Sequence, residues 1–156
     1  MTSPEVLPPR PAATLVLLRA APEGCEVLLL RRKSELAFYG GAWVFPGGGI
    51  DAADHAEGSV PAHELPHDAP PPLAARNAAL RELREEAGLS LPADAPICFS
   101  RWITPPGRTR RFDTWFFVAL APEHTAAVQL DAGEVDAFRW MTPSAALQAR
   151  ARREIE

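Results

Sequence analysis

Apolar and polar positions along this chain fall into short blocks. Residues 12–19 and 25–31 are almost continuously apolar and are separated by Pro22-Glu23-Gly24, so they predict two buried strands joined by a turn. Three more apolar stretches, 97–104, 111–120 and 135–141, also predict strands, and Pro105-Pro106-Gly107 marks a turn between the first two. Residues 73–87 differ from these. They follow three consecutive prolines, contain good helix formers and stop at Gly88, which predicts a helix with a glycine C-cap. Thr142-Pro143 opens a second helix, with proline in the favoured first turn.

The remaining stretches are irregular. Residues 1–11 read as a flexible N-terminal arm, and residues 38–49 (FYGGAWVFPGGG) as a glycine-rich aromatic loop. Residues 52–72 hold five prolines, three histidines (His55, His63, His67), several acids and little apolar content. They predict a loop, with an insertion at about 55–72, and not a core element. No internal repeat is visible. Strands, helix, strands, helix is the order expected of an α+β sandwich with a mixed central sheet and flanking helices.

Composition narrows the partners. A chain of 156 residues fits one domain spanning 12–156. Its net charge of −4 argues against a basic nucleic-acid surface, although Arg108, Arg110 and Arg111 form a local positive cluster. An acidic protein that handles an anionic substrate needs a neutralising charge, and a divalent cation supplies it. Two cysteines inside apolar stretches, Cys25 and Cys98, read as buried thiols, so a reducing cytoplasm is the expected compartment. No apolar run approaches the roughly 20 residues of a membrane helix, and the N-terminus has no signal core. The expected partner is a small molecule.

The chemistry concentrates in Arg81-Glu82-Leu83-Arg84-Glu85-Glu86-Ala87-Gly88-Leu89. On a helix Glu82, Glu85 and Glu86 stand at i, i+3 and i+4 and share one face. Leu80, Leu83 and Ala87 share another, about 130° away. One side can then pack on a sheet while the other presents three carboxylates. Two readings follow: a solvated acidic face balanced by Arg81 and Arg84, or a site for a hard divalent cation bound through oxygen. Upstream, Phe45-Pro46-Gly47-Gly48-Gly49 lets the backbone approach a ligand closely.

Together the loop and the helix resemble the two ends of the Nudix box: Gly, five residues, Glu, seven residues, Arg-Glu-apolar-any-Glu-Glu-any-Gly-apolar. Residues 81–89 match its second half at every fixed position. If Gly48 is the box glycine, Asp54 stands where the family has glutamate, and 26 residues separate Asp54 from Arg81 where the family has seven. The surplus coincides with the proline-rich segment marked from composition.

The resemblance implies a Nudix-type α/β/α sandwich and a hydrolase that uses Mg2+ or Mn2+ to cleave a diphosphate linkage in a nucleotide derivative. It implies Glu85 and Glu86 as metal ligands and Glu82 as ligand or general base. The Gly47 carbonyl would complete the metal site, and Arg81 would hold a glutamate by an ion pair. Glu134 resembles the remote carboxylate that some members add from a later loop; the other reading is a surface glutamate. Arg108, Arg110 and Arg111 are either phosphate-binding forks or a solvated turn. The run 45–54 and the stretches 101–106 and 111–114 resemble the moiety-X-motif-19 branch, which is associated with hydrolysis of the coenzyme A diphosphate. An NDP-sugar or dinucleoside-polyphosphate pyrophosphatase, or a Nudix-fold nucleotide sensor without turnover, are the alternatives. His55, His63, His67 and His124 lack zinc-ligand spacing. Phe38, Tyr39 and Trp43 stack on a base or simply pack.

Overall fold

The computed structural model describes residues 8–122, 128–131 and 133–156. Seven strands make one mixed sheet: β1 (Arg10–Ala21), β2 (Gly24–Arg32), β3 (Trp43–Val44), β4 (Gly47–Gly49), β5 (Ile97–Ile103), β6 (Phe112–Leu120) and β7 (Val135–Met141). Two helices, α1 (Leu73–Ala87) and α2 (Pro143–Ala151), pack against it. The fold is the α+β sandwich expected from the order of apolar blocks.

β1 is the spine. Along one edge it pairs in parallel with β6 from Arg10↔Phe112 to Leu18↔Leu120. Along the other edge it changes partner. β2 pairs with it only next to the turn, from Leu18↔Val27 to Ala21↔Gly24, and β4 pairs with it at the far end, from Ala12↔Gly49 to Thr14↔Gly47. β2 meanwhile pairs with β7 on its outer edge and with β3 on its inner edge. β1 and β2 therefore diverge, and the loop carrying β3 and β4 wedges between them. This wedge puts the glycine loop inside the sheet.

Alternation along the strands divides two cores. Ala13, Leu15, Leu17, Leu28, Leu30, Trp115 and Phe117 face α1, which contributes Ala75, Ala78, Ala79, Leu83 and Ala87. Val16, Leu18, Val27 and Leu29 face the other way, towards Ala146 and Ala149 of α2 and Ile155. Burial on both faces is why residues 12–19 and 25–31 read as almost continuous apolar runs. α1 spans the residues expected and ends at Gly88 in the left-handed region (φ 68°), where a Cβ would press on Gln129. Thr142 caps α2 by accepting from the Ala145 N–H.

Three expectations change. β1 starts at Arg10, so the last two residues assigned to the arm pair with β6. The segment expected to be a loop outside the core forms two short 3-10 turns, Ala52–Asp54 and Ala62–Glu64, and it does enter the core. Ala62 is 1% exposed and Leu65 packs beside it. Two isolated apolar residues among prolines and acids leave no periodic trace, so composition alone concealed the contact. Cys25 is exposed and Cys98 half-buried, not buried thiols. Cys25 directly follows Gly24 at the hairpin turn, where the strand has not yet entered the core. His124 lies outside the described residues. No helix of the described chain is long and apolar enough to cross a membrane.

Candidate active site

α1 turns one side to the sheet and the other to the glycine loop. Leu83 and Ala87 are fully buried, and Glu82, Glu85 and Glu86 line up on the adjoining face as their spacing requires. The loop meets them through its backbone. The Gly47 N–H donates to Glu86 Oε2 at 3.0 Å. A Cβ on Gly48 would overlap the Glu82 carboxylate, so no other residue fits there without displacing it. Gly47 thus meets Glu86 through its amide, whereas the sequence reading gave a role to its carbonyl.

Arg81 organises the site. Its Nε and Nη2 form a fork on Asp54, to Oδ1 at 3.0 Å and Oδ2 at 2.9 Å. Nη2 also donates to the Gly49 carbonyl at 2.9 Å. Nη1 donates to Glu82 Oε1 at 2.9 Å and to Glu85 Oε2 at 3.1 Å. One guanidinium therefore joins the glycine loop, the turn at 52–54 and two helix carboxylates. Asp54 is buried, accepts from the Asp51 N–H, and its carbonyl accepts from Asn77 Nδ2 on α1. Asp54 is a site residue left without a role by sequence reasoning. Counting from Gly48 reached its position, but its partner lies 27 residues on and its side chain is shorter than the family's.

The electrostatics follow the burial. Burial pushes the Glu86 carboxyl up to about 7; the charges of Glu82 and Glu134 add to this, while the Gly47 N–H and Arg32 oppose it. Glu82 is also raised, first by burial and then by Glu85 and Glu134, against the pull of Arg81. Glu134 therefore lies close enough for its charge to act on both. Burial disfavours the charged form of Asp54 too, but hydrogen bonds from Arg81 and the Asp51 amide outweigh it and hold the carboxyl below its usual range. Arg81 is held above its ordinary value chiefly by Asp54.

Among the described residues no three His, Cys, Asp or Glu side chains gather closely enough to cage an ion by themselves. Glu82 and Glu85 lean on Arg81 and Glu86 leans on Gly47, each through one oxygen. The other oxygen of each is left without a hydrogen bond among the described residues. Hard carboxylate oxygens in surplus, two of them with raised pKa values, suit a divalent cation that keeps several waters and shares phosphate oxygens.

The three arginines of the 105–111 turn separate. Arg108 and Arg110 line a cavity of about 640 Å3 above β5 and β6. Arg111 instead donates through Nε to the Thr104 carbonyl at 3.0 Å and closes the turn. Arg101, to which sequence reasoning gave no role, forms a buried fork on Asp113 at 2.8 and 2.7 Å. It lies over the Trp115 ring and donates to the carbonyls of Leu65 and Pro66. It fastens the proline-rich segment to the sheet.

Comparison with known proteins agrees with this geometry. The NUDIX domain family model matches residues 71–156. Acyl-coenzyme A diphosphatase NUDT19 of Homo sapiens is 27% identical over 85% of this chain, and its Gallus gallus counterpart 26% over 83%. The chain spans 57% of the length of each of these relatives. The crystal structure of a NUDIX hydrolase from Alicyclobacillus acidocaldarius superposes with a TM-score of 0.76 at 24% identity, covering 95% of this chain and 85% of that one. The NUDIX domain of Shewanella oneidensis NrtR, complexed with ADP ribose, gives 0.66 at 19% identity over 94% and 82%. The family match begins where the proline-rich segment ends, whereas the structural likeness spans both sides of it. With the glycine loop, the fork of Arg81 and the three carboxylates in one place, the chain belongs to the Nudix hydrolase family.

Proposed function

We propose that this chain hydrolyses a diphosphate linkage in a nucleotide derivative, with coenzyme A or an acyl-coenzyme A as its substrate. The observation that carries the hydrolytic reading is the Arg81 hub. It links Asp54, Glu82, Glu85 and the Gly49 carbonyl, so that the loop and the acidic helix face are held as one unit. The substrate class is supported by the two diphosphatase relatives and by the arginines beside the site.

Glu85 and Glu86 would hold Mg2+ or Mn2+, with Glu134 and the Gly47 carbonyl as further donors; Glu82, the other candidate ligand, is left free for proton transfer. A cation held there would supply positive charge to the phosphate oxygens and lower the pKa of a bound water. Glu82 is the proton acceptor of this reading: burial and the neighbouring carboxylates raise its basicity while Arg81 fixes its orientation. Arg81 is a positioning residue, since its donors are committed to protein groups. Gly47 orients Glu86 through its N–H. Arg108 and Arg110 supply positive charge to a phosphate outside the diphosphate.

The test compares kcat/KM for coenzyme A, dephospho-coenzyme A and ADP-ribose at one Mg2+ concentration, with Glu86→Gln as the control. Coenzyme A is expected to lead, and the variant to lose about 10²-fold or more in kcat while remaining folded. A preference for ADP-ribose would reject the substrate class. Equal turnover by wild type and Glu86→Gln would reject the site.

A further inference from the structure

The two faces of the β5–β6 pair are covered differently. On the α1 side, Arg101 and the proline-rich segment close over Trp115. On the other side α2 packs against β2 and β7. There Phe112, Thr114 and Phe116 of β6, at alternate positions, floor the 640 Å3 cavity, within the roughly 300–1,000 Å3 usual for a ligand pocket. Trp102, 69% exposed, and Tyr39, 68% exposed, border it. The cavity adjoins a smaller one of about 230 Å3 along the glycine loop, and both are lined by Phe38, Tyr39, Phe112 and Thr114. A group attached to a diphosphate at the loop can therefore reach the larger cavity.

Resting on the hydrolase reading above, we infer that this cavity binds the nucleotide half of the substrate: a planar base on the Trp102 face and a ribose phosphate on Arg108 and Arg110. The chemistry of the lining selects that half. The indole N–H of Trp102 already donates to Ser100 Oγ at 2.7 Å, so the ring offers its π-face and no donor. Phe116 packs beside the indole at a tilt of 56°, centroid to centroid at 5.6 Å. At the other end the Arg110 guanidinium lies 4.7 Å over the Phe38 ring, which holds its plane and leaves its N–H edge for an anion. Arg108 makes no ion pair among the described residues. No Asp or Glu lines the cavity, although the chain carries a net charge of −4. A ring-stacking, acid-free, doubly cationic cavity suits a phosphorylated nucleoside. A pantetheine arm or a sugar has no flat ring to stack, and an uncharged group gives the two arginines no partner. Tyr39 adds a constraint: its backbone sits at φ 51°, which L side chains rarely adopt, at the entrance shared by both cavities.

The test is binding, which needs no turnover. Adenosine 3′,5′-bisphosphate, adenosine 5′-phosphate and 4′-phosphopantetheine are titrated calorimetrically, with Mg2+, into wild type, Trp102→Leu, Trp102→Phe and Arg108→Gln/Arg110→Gln. Trp102→Leu should weaken both adenosine nucleotides about tenfold, Trp102→Phe should restore most of this, and 4′-phosphopantetheine should be unaffected. The double arginine variant should remove the preference for the bisphosphate over the monophosphate. The exposure of Trp102 makes an unchanged Tm the expected control. Unaltered nucleotide binding in Trp102→Leu, no nucleotide binding by wild type, or a loss confined to 4′-phosphopantetheine would overturn the assignment. Nucleotide binding that depends on Trp102, with no diphosphate turned over, would keep this subsite and reject the hydrolase reading.

Discussion

The carboxylate end and the aromatic end of the site are built on opposite principles. Every nitrogen of the Arg81 guanidinium has a protein partner. The Arg81 side chain is only 16% exposed, and its guanidinium bonds to the loop, the turn and the helix at once. Along the β5–β6 face the rings of Tyr39 and Trp102 stand in solvent, and Arg108 has no ion pair among the described residues. The first region holds charges that repel one another, and without a rigid frame they would spread apart. As the proposed nucleotide subsite, the second region meets a ligand, and a ring face and a guanidinium left open are what it can offer. Damage to the first should therefore show in kcat and stability, and damage to the second in KM.

The largest break in that contrast comes from the hub. Arg81→Lys keeps the charge but cannot fork, so it should release Asp54 or Glu82. We expect kcat to fall at least about tenfold, since misplacing a catalytic group by an ångström can cost 10². Asp54→Asn should act in the same direction. Unchanged kcat with raised KM in both variants would place the hub on the recognition side.

Next is the fork of Arg101 on Asp113, whose side chains are 8% and 3% exposed. Arg101→Leu strands a buried carboxylate and frees the carbonyls of Leu65 and Pro66. A loss of about 3 kcal/mol in urea unfolding is expected, with part regained in the Arg101→Leu/Asp113→Leu pair. Limited proteolysis should then cut within residues 55–72 first. Wild-type resistance there would mean that the segment is held by Ala62 and Leu65 alone.

The smallest effect is on pH. Glu86 titrates near 7 in the fold against about 4.5 in the unfolded chain. Between those values the folded state binds more protons, so stability falls as pH rises. The contribution is fully present below about 4.5 and lost above about 7, on the order of 2–3 kcal/mol. The raised pKa of Glu82 acts in the same sense. The depressed pKa of Asp54 acts oppositely, its stabilisation being lost as pH falls below the ordinary aspartate range, outside this window. Glu86→Gln should flatten the urea midpoint between pH 5 and 7.5, and a profile of unchanged slope would remove Glu86 as its source.

Much of the frame was legible because it depends on local pattern. α1 and β7 span the residues that periodicity and turn signals indicated, and Gly88 caps the helix. β3 and β4 were not, since a two-residue strand and one made wholly of glycine carry no alternation to read. At the site, the matched spacing of Glu82, Glu85 and Glu86 was sufficient because the helix itself brings them together. Asp54 and Asp113 escaped because their partners come from other elements. An arginine within a strand reads as facing outward, and only the register Arg101↔Trp115 shows that it faces the core.

The distance in sequence between Asp54 and Arg81 also has a consequence in time. α1 can nucleate on contacts within its own 15 residues. Its arginine meets Asp54 only after a loop of 26 residues has closed, against seven in the uninterrupted motif, an added entropy of about 1 kcal/mol. The fork therefore closes a longer loop than the uninterrupted motif would, though a far shorter one than the pairing of β1 with β6. Both partners of the fork precede β5, β6 and β7 in the chain, so they leave the ribosome before those strands do.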